Sequence, residues 1–281
     1  MGSKTTQLRF TTAHYKFDLT ITERNDKFHT FTFLVGDKNK PCLEGNIILK
    51  NNTGNDRYDS VVNTATLIKI DALQECSLDE ITNEYMEAHS FGKEMLDSVV
   101  FFINSQFPTV ETVKLDDASY IPCIRDSANT LDLLIYYIAL YGKTWYEDKV
   151  DAYIKPKAKY DEYRKQVDNY MSKETKNKTD FSDIYKLIIR GSDFTKNIVD
   201  SKYKDIESDF NTSKTLPDFF IKLNKRINRK DKCRFFKNWL EDLIHSYITI
   251  TRTWYFDLFP KIEPIRSNQM RQTRKRKNII I

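Results

Sequence analysis

Hydrophobic positions follow two different periods along this chain, and the change falls near residue 71. From Tyr15 apolar residues alternate with polar ones through Phe17, Leu19 and Ile21. The polar stretch Glu23-Arg24-Asn25-Asp26 interrupts them, and the alternation resumes at Phe31, Phe33 and Val35. Successive strand side chains point to opposite faces, so a period of two predicts half-buried antiparallel strands joined by a turn. Residues 36–41 and 51–56 are turns by composition. Residues 43–50 and 61–71 then read as third and fourth strands. The first 71 residues predict a four-stranded meander, with residues 1–14 expected to fray.

The period then lengthens. Ser77-Leu78-Asp79-Glu80 has the spacing of a helix capping box, in which the serine oxygen and the glutamate each satisfy a free backbone N–H. A longer helix is expected from Ser90, with Met95, Leu96, Val99, Val100, Phe102 and Ile103 as its buried stripe and Pro108 ending it. Residues 110–115 read as a short buried strand. Asn129 or Thr130 is expected to cap a second apolar helix containing Leu131, Leu134, Ile135, Ile138 and Leu140, and Gly142 to stop it. Beyond Lys149 the strand signals stop. Residues 155–171, 180–190, 215–227 and 231–250 read as amphipathic helices, with polar connectors at 172–179 and 208–214. Pro217 fits the first turn of a helix opened by Thr215, where its missing N–H costs nothing. The predicted class is mixed α/β: an antiparallel meander, a β-α-β-α unit, and a helical C-terminal region.

Charge adds a tail to this picture. The 281 residues carry a formal net charge of +5. Residues 261–281 hold seven basic residues and one acidic one, so the remaining body is close to neutral. Such a body suggests no extended phosphate-tracking groove. The tail, with Arg271, Arg274, Lys275, Arg276 and Lys277, suits weak nucleic-acid binding, nuclear import, an acidic protein surface, or simple solubility. The four cysteines and four histidines are scattered and no CxxC pair exists. This argues against a zinc ribbon or dithiol site, so no metal is expected. The thiols read as buried small hydrophobes in a reducing compartment. No apolar leader and no span of bilayer length stands out, so neither secretion nor membrane insertion is expected.

Candidate chemistry gathers between Glu75 and Glu147. Asp116-Asp117-Ala118-Ser119 follows the predicted strand 110–115 and offers a carboxylate to accept a proton from an amine. The same residues suit a turn stabilised by its own side chains. Glu75 is a second candidate base, or a solvated loop residue. Trp145 and Tyr146 offer a stacking surface or an anchor for the helical region, with Trp239 and Trp254 as packing partners.

The strand–loop–helix–strand–helix run resembles the cofactor half of the GNAT N-acetyltransferases, over residues 15–150. The family loop reads Gln/Arg-x-x-Gly-x-Gly/Ala, and the matching positions are His89-Ser90-Phe91-Gly92-Lys93-Glu94. Gly92 meets the pattern; Glu94 stands where the family has Gly or Ala. The family's helices between its first two strands are replaced by a short turn. The resemblance implies acetyl-CoA as cofactor, its diphosphate held at a helix N-terminus by Ser90, Gly92 and Lys93, with Asn129 contacting the cofactor. It implies acetyl transfer to an amine, with Glu75 or Asp117 as base and Tyr137 or Tyr141 protonating the departing thiolate. It leaves open that catalysis has been lost and that the chain is a non-catalytic interaction module. Residues 140–147 and 115–119, with the basic tail, also look similar to uncharacterised proteins of the large nucleocytoplasmic DNA viruses. That implies a virion, host-cytoplasmic or nuclear setting and protein partners. The expected organisation is a flexible segment 1–14, a GNAT-like domain 15–150, a helical region 151–260 and a basic tail 261–281.

Overall fold

The computed structural model describes residues 3–11, 16–25, 29–37, 40–49, 64–70, 88–107, 110–117, 119–123, 126–228, 230–237 and 239–258. The fold class is mixed α/β. The chain forms two compact units: Met1–Asp116 with Tyr255–Ile281, and Asp117–Trp254.

Unit 1 is built on a seven-stranded sheet, to whose last strand it contributes Tyr255–Asp257. Its strands are β1 (Ser3–Thr11), β2 (Lys16–Asn25), β3 (His29–Asp37), β4 (Lys40–Leu49), β5 (Thr64–Ile70), β6 (Thr112–Asp116) and β9 (Thr253–Asp257), lying side by side in that order. The first five pair antiparallel. β1 is a strand where fraying was expected. Its apolar residues are only Leu8 and Phe10, so alternation is nearly silent. Threonine content and pairing along its length, including Thr6 opposite Ile21 and Leu8 opposite Leu19, hold it as an edge strand. The register shifts at Val35/Gly36 and Glu44/Gly45, each beside a glycine.

β5 and β6 run parallel, from Thr64 opposite Thr112 to Leu67 opposite Leu115. A parallel pair needs a long connection, and α1 (Ala88–Gln106) lies within it. Leu96, Val99, Phe102 and Ile103 of α1 are buried, matching most of the predicted stripe. Phe107 meets Phe31 of β3 edge-on at 4.7 Å between ring centroids.

Unit 2 opens with a hairpin that the sequence did not announce, β7 (Tyr120–Cys123) and β8 (Asp126–Asp132). Asn129, expected as a helix cap, and the turn-favouring types of Asp126 and Ser127 hid the second strand. The helices follow: α2 (Leu133–Tyr141), α3 (Trp145–Val150), α4 (Lys157–Tyr170), α5 (Lys173–Lys178), α6 (Phe181–Gly191), α7 (Asp193–Ser201), α8 (Tyr203–Thr212), α9 (Leu216–Arg226), α10 (Lys232–Lys237) and α11 (Leu240–Tyr247). Within this unit α2 packs on α9 and α11. The stretch read as one helix over 231–250 is two. Both expected connectors contain helix, α5 in the first and the end of α8 in the second.

An unbroken series of ring contacts forms the core of unit 2. Phe181 meets Phe210 at 5.4 Å, Phe210 meets Phe219 at 5.2 Å, and Phe219 meets Phe220 at 5.1 Å. Phe220 then meets Trp239 at 6.0 Å. These rings come from α6, α8, α9 and the residue preceding α11, so aromatic burial ties distant helices together. The expected partnership of Trp145 and Tyr146 with the other tryptophans takes another form: the two meet each other edge-on, Trp254 meets Tyr163, and Trp239 joins the phenylalanine series.

Candidate functional site

Asp117 and Ser119, singled out in the sequence, meet Asp132 and Arg252 at a node at the start of unit 2. The backbone N–H of Asp117 donates to the carbonyl of Arg252 at 2.7 Å, and Arg252 Nη1 donates to the carbonyl of Asp117 at 3.4 Å. The two ends of unit 2 are thereby joined. The Asp117 side chain is 2% exposed. Its Oδ1 accepts the Ser119 N–H at 2.9 Å and the Ser119 hydroxyl. Burial pushes the Asp117 pKa up to about 6, the Ser119 hydrogen bonds opposing the rise. Ser119 also hydrogen-bonds the buried Tyr146 phenol, whose pKa burial drives well above its usual value.

Asp132 forms the second half of the node. One carboxylate oxygen accepts the Ile135 N–H at 3.2 Å and caps α2. The other accepts from Arg252 Nη2 at 2.6 Å. A cleft of about 330 Å³ opens here, with Leu131 and Ile135 as apolar lining and Lys237, Glu241 and the half-exposed Arg252 as charged lining. Ser119, Tyr120 and Thr130 also line it. Both signs of charge thus face one small space.

A third polar hub lies at Glu147, in the segment 140–147. Thr144 and Glu147 form a reciprocal capping box at the start of α3, with Glu147 N–H to Thr144 Oγ1 at 3.1 Å and Thr144 N–H to Glu147 Oε2 at 2.7 Å. The same carboxylate accepts from the phenols of Tyr160 and Tyr163, at 3.1 and 3.0 Å, and from Arg164 at 3.3 Å. Burial is the largest cause raising both phenol pKa values, with the Glu147 charge second; Tyr160 reaches about 12. Arg164 also donates to the Gly142 carbonyl at 3.1 Å. One buried carboxylate therefore docks α4 on the α2–α3 corner. Gly142 itself closes α2 in the left-handed conformation at φ 63°, as the sequence predicted. A Cβ there would come within 1.8 Å of Met171 Sδ.

α1 begins at Ala88, so Ser90 and Gly92 lie inside the helix rather than in a loop ahead of it. The Ser90 N–H falls among the helix's first free donors, but the Gly92 N–H is deep enough for the intrahelical ladder. Lys93 Nζ pairs with Asp97 at 2.6 Å. One Glu94 carboxylate oxygen is buried with no hydrogen-bond partner among the described residues, a poor neighbour for a diphosphate. Asn129 sits in β8 and the α2 cap is Asp132, a correction to the expected cap. The missed signal was an aspartate directly ahead of an apolar run. These donors do not compose a diphosphate cradle among the described residues.

Of the expected acid–base residues, Tyr137 is buried and its pKa is raised, chiefly by burial and then by Tyr141, which makes it a poor proton donor. Tyr141 is 42% exposed, with its ring 5.0 Å from that of Tyr137. Glu75 and the tail residues Arg271, Arg274, Lys275, Arg276 and Lys277 lie outside the described residues. Among the described residues no cluster of three or more His, Cys, Asp or Glu is placed to hold a metal ion. No helix among them is long and apolar enough to cross a membrane. Cys233, read from the sequence as a buried thiol, is disulfide-bonded. Arg252 and Glu147 were the functional-looking residues that sequence reasoning passed over. Thr144-x-x-Glu147 has capping-box spacing and was findable; nothing near Arg252 signals its role. No family model matches the chain, no curated protein matches it, and no solved structure matches it.

Proposed function

We propose that this chain is a non-catalytic protein-interaction module, whose second unit offers the cleft beside Arg252 to a mixed-charge peptide segment. The observation that carries this is the fate of two candidate catalytic groups, Asp117 and Tyr137, and of the neighbouring Asp132. Asp117 is turned onto its own turn, Asp132 onto a helix cap and Arg252, and Tyr137 into the core. Each is spent on scaffold. Beside them lies a small space lined by Lys237, Glu241 and the Arg252–Asp132 pair, with Leu131 and Ile135 between. Two carboxylates at that rim disfavour a polyanion such as CoA and suit a peptide carrying both charges around an apolar side chain. The partner is a protein of virion or host origin, and the basic tail adds weak, salt-dependent attraction to an acidic surface or nucleic acid.

A second reading is favoured by the parallel β5–α1–β6 arrangement, which resembles the GNAT layout. In that reading the protein transfers acetyl from acetyl-CoA to an amine. One thermal-shift experiment on the full chain separates the two. Acetyl-CoA up to millimolar concentration is compared with a blocked peptide of alternating Lys, Leu and Glu. A ligand that binds only the folded state must raise the melting temperature. The interaction reading expects a saturable rise with the peptide, lost on Lys237→Glu, and none with acetyl-CoA. A saturable rise with acetyl-CoA that Lys93→Ala weakens would establish the second reading instead.

A further inference from the structure

The disulfide at Cys233 is the feature of unit 2 that neither the cleft nor the polar hubs absorb. Cys233 lies on α10, is 6% exposed, and is disulfide-bonded. The chain has four cysteines, at positions 42, 76, 123 and 233. Within unit 2, Asp117–Trp254, only one other exists: Cys123, the last residue of β7. α10 packs against both β7 and β8. Lys237, one turn beyond Cys233 on α10, lines the cleft, and so do Tyr120 of β7 and Thr130 of β8.

We propose that Cys123 and Cys233 form a structural disulfide that staples α10 to the β7–β8 hairpin and so fixes two walls of the cleft. Formation removes two thiol protons and two electrons, which pass to a disulfide oxidant such as oxidised glutathione, leaving as two thiols. The bond closes a loop of about 110 residues, a length at which cross-linking strongly restricts the unfolded chain. Burial of Cys233 shields the bond from thiolate attack until the unit opens. The folded chain is therefore made where a thiol oxidant is present, against the reducing setting that scattered cysteines suggested.

The test begins with the full chain, denatured without reductant, alkylated, and mapped by mass spectrometry. A cross-linked pair of peptides containing Cys123 and Cys233 is expected. Quantitative alkylation of Cys233, or its cross-link to Cys42 or Cys76, would overturn the proposal. Melting temperatures then test the staple. Cys123→Ser and Cys233→Ser should each lower it by roughly 5–15 °C, and the double variant should fall no further than either single one. Additive losses would mean that the two residues act separately, which refutes the pairing. Addition of a dithiol to the native protein should leave the cross-link intact for far longer than in denaturant; equal rates would remove the claim of protection.

Discussion

The two units solve the same problem of specificity with different side chains. Unit 1 relies on apolar pattern. Leu19, Ile21 and Ile47 face one side of the sheet, Val113 and Leu115 alternate along β6, and α1 supplies Leu96, Val99 and Ile103. The ion pairs described within it are surface ones, Lys93–Asp97 and Lys114–Asp116. Unit 2 adds buried polar groups with satisfied partners to its aromatic core. Asp117, Thr144 and Thr195 are each at most 2% exposed, and Thr195 donates its hydroxyl to the Ile188 carbonyl at 2.9 Å. In a strand pair, a slip of one residue exposes every buried side chain, so pattern alone fixes register. Short helices joined by tight corners have no such rule. Buried hydrogen bonds with one satisfying geometry fix the corners instead. A carboxylate in unit 2 is consequently a poor indicator of catalysis.

The difference can be broken first at Glu147. Glu147→Ala removes the acceptor of two phenols, one of the acceptors of Arg164 and the reciprocal half of the α3 capping box, and should cost about 3–5 kcal/mol, read as a shift in the urea midpoint. A loss under 1 kcal/mol would mean that the hub is ornamental. The matching test in unit 1 is Ile47→Ala on the central strand β4. It deletes fully buried apolar volume and should cost about 2–4 kcal/mol, with unfolding followed by the same method. If polar deletions in unit 2 cost far less than this apolar one, the contrast between the units fails.

A third test uses pH. The Asp117 pKa is raised on folding, from 3.8 to about 6. The unfolded chain therefore gives up this proton first as pH rises. The contribution is fully present below about pH 4, declines between pH 4 and 6, and is lost above. Asp117→Asn keeps an acceptor for Ser119 and cannot ionise. Its stability relative to the native protein should rise by on the order of 2–3 kcal/mol between pH 4 and pH 7. Urea midpoints of both proteins across that range give the difference with other titrations cancelled. A difference independent of pH would show that Asp117 is not the buried group described. The smallest effect is expected at Lys93→Ala, whose exposed pair with Asp97 should be worth less than about 0.5 kcal/mol. A larger loss would point to a role for Lys93 beyond the surface.

The same contrast explains what could be read from the sequence. Strands β2 and β3 alternate, β4 and β5 read as strands between turns, and the apolar face of α1, the strand β6, the Gly142 stop and the Thr215-Pro217 helix start were all visible. Each of these follows from a local rule. The strand β1 was hidden because an edge strand needs few apolar residues. The β7–β8 hairpin was hidden by Pro122, Asp126 and Asn129, residues with strong turn preferences that tertiary packing overrides. α5 carries Lys, Glu and Asn along its length and reads as a connector; α7 also escaped notice. Asp117 was visible as a residue of interest, but its neighbour Arg252 lies 135 positions away, and no local pattern joins them. The cleft beside them depends on that long-range pairing, so it could not be read in advance.

If unit 2 spends its polar residues on its own architecture, it should need nothing outside itself. The direct measurement is the unfolding of residues 117–254 expressed alone under oxidising conditions, followed by circular dichroism and one-dimensional NMR. A single cooperative transition, with helical signal and dispersed side-chain resonances, is the expected result. A chain that is soluble yet shows no cooperative transition would contradict it, because the Asp117–Arg252 closure and the Glu147 hub would then be insufficient to hold the unit together.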